Sequence, residues 1–153
     1  MTLYEFLVFV HVLMVVAWVG GDIAIQVLAV RAARAKDPVR MAGLTADAEW
    51  MGLRVFMPAS LVLLAFGIWA GLEGDWDFGA AWISIGFAAF LFSFFLGMAF
   101  LGPESGRIKT MIQERGLEDP EVARRTGRIL LFSRIQLVIL IVAIWAMVTK
   151  PGV

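Results

Sequence analysis

An all-α integral membrane protein, a four-helix bundle of up-down topology, is the fold class this sequence predicts, and three observations predict it. Of its 153 residues, 61% are hydrophobic and 17% charged, whereas a soluble domain is roughly 45–50% apolar and about 25% charged. The charges gather in short stretches and leave four long apolar segments nearly bare. Each segment is long enough, because about 20 apolar residues in a helix cross a hydrocarbon core of roughly 30 Å. Four spans and their connectors use the whole chain, so residues 1–153 read as one transmembrane domain.

The first span covers about 4–30 and closes on Arg31 and Arg34. Its Glu5, the lack of a basic leader and an unbroken apolar run distinguish it from a cleaved signal peptide. A polar connector, 31–53, contains the breaker Pro38, and its second half has helical periodicity leading straight into the second span, about 54–72. Pro58 lies one turn into that span, and its missing N–H predicts a kink or a local widening. EGDWDF, residues 73–78, is a short acidic turn. The third span, about 79–102, ends at Gly102-Pro103, with helical periodicity continuing to Arg115 before Gly116 stops it. In connector 103–128, Asp119-Pro120-Glu121 starts a helix with a capping acid ahead of a proline at the first position. The fourth span covers about 129–148, and no internal repeat is found.

The basic residues set the orientation. Connector one with its flanks holds Arg31, Arg34, Lys36, Arg40 and Arg54; connector three holds Arg107, Lys109, Arg115, Arg124, Arg125 and Arg128. The other side holds only Lys150. Positive residues stay inside, which predicts a multi-pass cell-membrane protein with both termini on the non-cytoplasmic side. Trp69, Trp76, Trp82 and Trp145 fall near that outer face, as an aromatic belt would, and Trp50 marks the inner boundary.

Thirteen basic and thirteen acidic residues cancel, which removes the global charge that a nucleic-acid partner would require. With no cysteine and a single histidine, the usual hydrolytic and zinc arrangements are nearly excluded, and no catalytic residue is assigned. Ionisable groups inside spans are costly, so each has a partner or a purpose. Tyr4, His11, Trp18, Asp22 and Gln26 share one narrow helical stripe, a face that points into the bundle. Asp22 and Arg134 sit at similar depth in the first and fourth spans and are expected to form a structural ion pair. His11 with Met14, one turn on, is a soft donor set for copper, and a histidine alone can ligate haem b. Trp18, Gly20 and Gly21 would border such a cofactor, the glycines leaving room for a flat ring.

The first span, FVHVLMVVAWVGGDIAIQVL, and the end AIWAMVTKPG, with Pro58-Ala59, Trp82 and Gly102-Pro103, resemble a family of uncharacterised bacterial four-span integral membrane proteins. The order His11, Trp18, Gly20 also looks like the wider group of the copper-resistance protein D family and the membrane protoporphyrinogen oxidase. That likeness implies a bacterial inner-membrane location and a haem-linked histidine at His11. Residues 22–26 (DIAIQ) depart from the oxidase, so its activity is not carried over. Three functions follow: a non-enzymatic bundle that scaffolds or assembles, alone as a homo-oligomer or with another membrane protein; a haem or copper binder using His11; and an oligomeric transporter of small solutes or ions, with Asp22 and Arg134 lining its path. The lipid bilayer is the partner common to all three.

Overall fold

The computed structural model describes residues 1–152. Four helices are long and apolar enough to cross a membrane: α1 (Leu3–Ala35), α2 (Pro38–Glu73), α3 (Ala81–Arg115) and α4 (Pro120–Thr149). No strand occurs among the described residues. The helices have 33, 36, 35 and 30 residues, so each is roughly 45–55 Å long and outruns the bilayer core. The surplus projects at one end, which carries both long connectors and most of the basic residues; this is the basic end. The termini and the acidic turn make the opposite, terminal end.

The starts and stops have local causes. Thr2 and Glu5 form a reciprocal capping box on α1, and Asp37 caps α2 ahead of Pro38. The Asp119 side chain accepts from the Glu121 N–H at 2.8 Å with Pro120 at the first position, as the sequence predicts. Lys36 is the left-handed residue that ends α1, and Gly116, at φ 82°, ends α3. The first connector is thereby reduced to a tight corner, since Pro38–Glu73 is helical throughout.

Both middle helices contain a π-turn, Gly52–Phe56 in α2 and Gly97–Leu101 in α3. In each, the N–H following the turn reaches back five residues: Met57 to the Gly52 carbonyl, Gly102 to the Gly97 carbonyl. Each turn stands immediately before an X-Pro step, at Pro58 and Pro103. Proline has no N–H and its ring crowds the preceding turn, and widening that turn relieves both problems. The widening expected at Pro58 is therefore present, and a second one accompanies Pro103. A local repeat emerges that was not recognised in the sequence, Gly-x5-Pro-x-Ser, at residues 52–60 and 97–105. Ser60 and Ser105 are buried and return their hydroxyls to the Met57 and Leu101 carbonyls at 2.7 and 2.8 Å.

An extra residue in a turn rotates the following helix face by about 100°, and both middle helices change partner at their π-turns. Pro38–Met51 packs along Gly102–Arg115, whereas Met57–Glu73 packs on α1 and Ala81–Leu96 packs on α4. Helix α4 also contacts α1, closing the ring. The core falls into three layers. Ala32, Met41, Ile108, Ile112 and Val122 fill the basic end; Trp18, Phe90 and Leu140 the middle; Trp82, Ile83 and Ala146 the terminal end. The outer faces carry bare apolar side chains such as Phe9, Val16, Val138 and Ile141, the surface of a protein solvated by lipid rather than water.

The tryptophans divide. Trp69, Trp145 and Trp50 face outward as belt residues do, but Trp82 is buried and Trp76 half-buried. These two rings meet edge to face at 5.0 Å, Tyr4 joins Trp76 at 6.1 Å, and the Lys150 ammonium lies over both indoles at 5.6 and 5.3 Å. Two of the four expected belt residues thus plug the terminal end instead, since cation–π and edge-to-face contacts favour an enclosed cluster there.

The adjacent glycines of α1 differ. A Cβ on Gly21 would lie 2.6 Å from the Phe56 ring, whereas one on Gly20 meets nothing within 4 Å. Gly21→Ala is expected to destabilise the bundle by about 1–3 kcal/mol through overpacking. Gly20→Ala should be neutral or stabilising by up to about 1 kcal/mol, because alanine favours a helix. Thermal unfolding of both variants in detergent checks the contrast.

Candidate functional site

Asp22 is buried on the inner face of α1. Its Oδ2 accepts from Gln26 Nε2 one turn on, and its Oδ1 from Ser133 Oγ of α4, each at 3.2 Å. Gln26 Nε2 also donates to the Ser133 carbonyl at 3.2 Å. Two side chains of α1 are thereby tied to one position of α4. The expected ion pair with Arg134 is not formed: Arg134 is exposed, and no Arg or Lys pairs with Asp22 among the described residues. The reason is angular. The inward line of α4 runs through Ser133, Gln136 and Leu140, and Arg134 stands about 100° away from Ser133. Equal depth is not equal azimuth.

The void beside Asp22 has a volume of 320 Å³ and lies between the middle and basic-end core layers. Trp18, Phe56 and Phe94 wall it toward the terminal end. The two π-turns flank it through Gly52 and Gly97, and both repeat serines, Ser60 and Ser105, line it. Toward the basic end it reaches Glu49, where Lys109 Nζ holds the partly exposed carboxylate at 2.9 Å. Three buried polar atoms have no hydrogen-bond partner among the described residues: Ser93 Oγ, Thr126 Oγ1 and Gln136 Oε1. All three residues line this one void. Buried polar groups are ordinarily paired, and an orphan costs about 1–3 kcal/mol; here three orphans come from residues that line one void.

Outside the apolar stretch, the basic end is held by ion pairs. Arg125 bridges the buried Glu104 of α3 at 2.7 Å and Glu121 at 2.8 Å. Hydrogen bonds from Arg124 and Arg125 hold the Glu121 carboxyl below its ordinary value.

His11 faces α2. Its Nδ1 lies 2.8 Å from the Leu63 carbonyl, and a carbonyl only accepts, so Nδ1 carries the proton and Nε2 the lone pair. The ring fills the notch over Gly67, where a Cβ would sit 2.7 Å from Nδ1. The space at Gly67 is thus taken by the His11 side chain rather than by a neighbouring helix backbone. The residues do not fit a haem. The room expected at the glycines is absent, since Gly20 is exposed on the outer face and the space over Gly21 is taken by Phe56, while Trp18 packs edge-on to Phe90 at 6.0 Å. Met14 is half-buried on the same helix. Among the described residues no three His, Cys, Asp or Glu side chains gather into a metal site.

The sequence-predicted residues thus separate. Trp18 and Asp22 meet at the void, His11 is engaged with α2, and Gly20 and Arg134 face outward. Sequence reasoning missed Ser93, Thr126, Ser133 and Gln136. The signal available was their uncharged polarity inside apolar spans, with Ser133 and Gln136 spaced i, i+3 on one face.

The match to known families covers this same length of chain. The protein belongs to the family described as predicted integral membrane protein (DUF2269). The family model matches residues 5–151. No curated protein and no solved structure matches the chain.

The Asp22 contacts lead to opposite expectations for neighbouring positions. Ser133→Ala removes a donor from a buried carboxyl and should cost about 1–3 kcal/mol. Arg134→Gln, at an exposed position, should stay within about 0.5 kcal/mol. Denaturation of the two variants in the same detergent distinguishes a serine-held Asp22 from an arginine-held one.

Proposed function

We propose that this four-span protein is a non-enzymatic binding module that takes a small, largely apolar molecule into the void beside Asp22. One observation carries the reading: three otherwise unpartnered buried polar atoms, from α3 and α4, belong to residues that line a single 320 Å³ space. That volume lies at the lower end of the roughly 300–1,000 Å³ typical of small-molecule sites, and its mostly apolar walls with a few polar groups are the usual composition. The π-turns support the same reading, because such turns inside α-helices are frequent at functional sites. A scaffolding or assembly role, as a homo-oligomer or with another membrane protein, is compatible with a bound molecule that rigidifies the bundle. The position of the basic residues supports a bacterial inner-membrane protein with the basic end in the cytoplasm, which would make the cytoplasmic side the side of entry.

The absence of native cysteine makes two labelling tests clean. For sidedness, Asp75→Cys is expected to react with an impermeant maleimide from outside the cell and Glu118→Cys only after permeabilisation; the reverse pattern overturns the orientation. For the void, Ser93→Cys is expected to react with a small water-soluble methanethiosulfonate, whereas Phe92→Cys on the exposed face should stay inert in lipid. An inert Ser93→Cys in folded protein would remove the binding reading and leave the scaffold. Visible absorption and elemental analysis of protein expressed with haem precursor and copper test His11 as a ligand; a coloured or copper-loaded protein that His11→Ala abolishes would displace the present reading.

A further inference from the structure

The groups around the void are unevenly supplied with donors. Asp22 receives hydrogen bonds only from neutral groups, Gln26 and Ser133, which occupy two of its roughly four acceptor sites. No cationic side chain of the described residues pairs with it. Gln136 Oε1, also an acceptor, is buried and unpartnered, and it lies one turn from Ser133 on the same face of α4. A carboxylate and an amide oxygen, from two residues that line the same void, are therefore left without a cationic partner. The terminal-end wall of the void is aromatic: Trp18, Phe56 and Phe94. Aromatic faces attract cations, more strongly when these are desolvated.

We propose that the ligand of this void is a protonated amine with a small apolar body. This rests on the reading of the void as a binding site. The ammonium has three donors and no acceptor, which matches the free positions of Asp22 and the orphan Gln136 Oε1. The body lies against Trp18, Phe56 and Phe94. The hydroxyls of Ser93 and Thr126 accept or donate as the ligand requires, so they do not set the charge preference. A carboxylate-bearing ligand is disfavoured, because it would be buried beside Asp22 without a counter-charge. A neutral alcohol fills the same space but leaves the charge of Asp22 uncompensated.

The test uses three molecules of nearly one shape, 2-phenylethylamine, 2-phenylethanol and phenylacetate, titrated calorimetrically into the full chain in zwitterionic nanodiscs, with empty nanodiscs as blanks. The amine is expected to bind about tenfold or more tightly than the alcohol, and phenylacetate most weakly. Asp22→Asn should bring amine and alcohol to within about threefold of each other. The ligand series on the unmodified chain decides the matter even where Asp22→Asn folds poorly. Protection of Ser93→Cys from thiol modification reports occupancy of the void itself. If the alcohol binds as well as the amine and protects Ser93→Cys, the amine assignment is overturned while the binding reading stands. If Ser93→Cys is reached but none of the three binds, the void holds water alone and the amine assignment is overturned. If Ser93→Cys is never reached, the binding reading has failed as well.

Discussion

Two missing backbone hydrogens, at Pro58 and Pro103, condition most of this architecture. In lipid, a backbone group without a partner costs several kcal/mol, so a helix cannot simply leave the defect open. Here the turn ahead of each proline widens, the N–H before it reaches back five residues, and a serine two positions later covers a carbonyl with its hydroxyl. The repair has a geometric by-product. Each middle helix emerges rotated and packs on a different neighbour, so α2 and α3 are joined at the basic end and separated toward the terminal end. Between the two packing regimes the side chains do not close the centre, and the void beside Asp22 is what is left.

The same arrangement divides labour along the bundle axis. The terminal end is sealed by rings and one ammonium, the middle by Trp18, Phe90 and Leu140, and the basic end by ion pairs between helix extensions beyond the apolar stretch. Within the apolar stretch, a group of polar side chains lies between the last two layers. Three of them, Asp22, Gln26 and Ser133, form the hydrogen bonds of the α1–α4 contact that closes the ring, so the chemistry of the void and the closure of the bundle share residues. A change at Ser133 or Asp22 therefore acts on fold and site together, and charge-selective ligands separate the two more cleanly than substitutions do.

Much of the fold was legible in the sequence. Length and hydropathy showed four spans, Pro58 showed a widened turn, Gly116 a stop and Asp119-Pro120 a start. The stripe Tyr4, His11, Trp18, Asp22 and Gln26 does face inward. The site was less legible, because depth is readable from counting residues whereas azimuth depends on how a neighbouring helix is rotated. Arg134 has the depth of Asp22 and the wrong direction; Ser133 has both. The glycines misled for a related reason. Gly20 and Gly21 look like one feature, but successive helical positions face different surroundings, one lipid and the other Phe56. The void itself follows from the partner exchange at two π-turns, a relation between distant segments that no single window of sequence contains.

The Lys109–Glu49 pair at the edge of the void has a consequence for rates. Both side chains are about one-third exposed, so their attraction is screened by dissolved salt, over a Debye length of about 8 Å at physiological ionic strength. Asp22 lies deeper, away from mobile ions. Raising the salt concentration therefore loosens the threshold while leaving the interior attraction nearly intact. For a ligand bound as proposed, exchange into and out of the bundle would quicken in both directions, with little change in equilibrium occupancy, making ionic strength a control on residence time rather than on affinity.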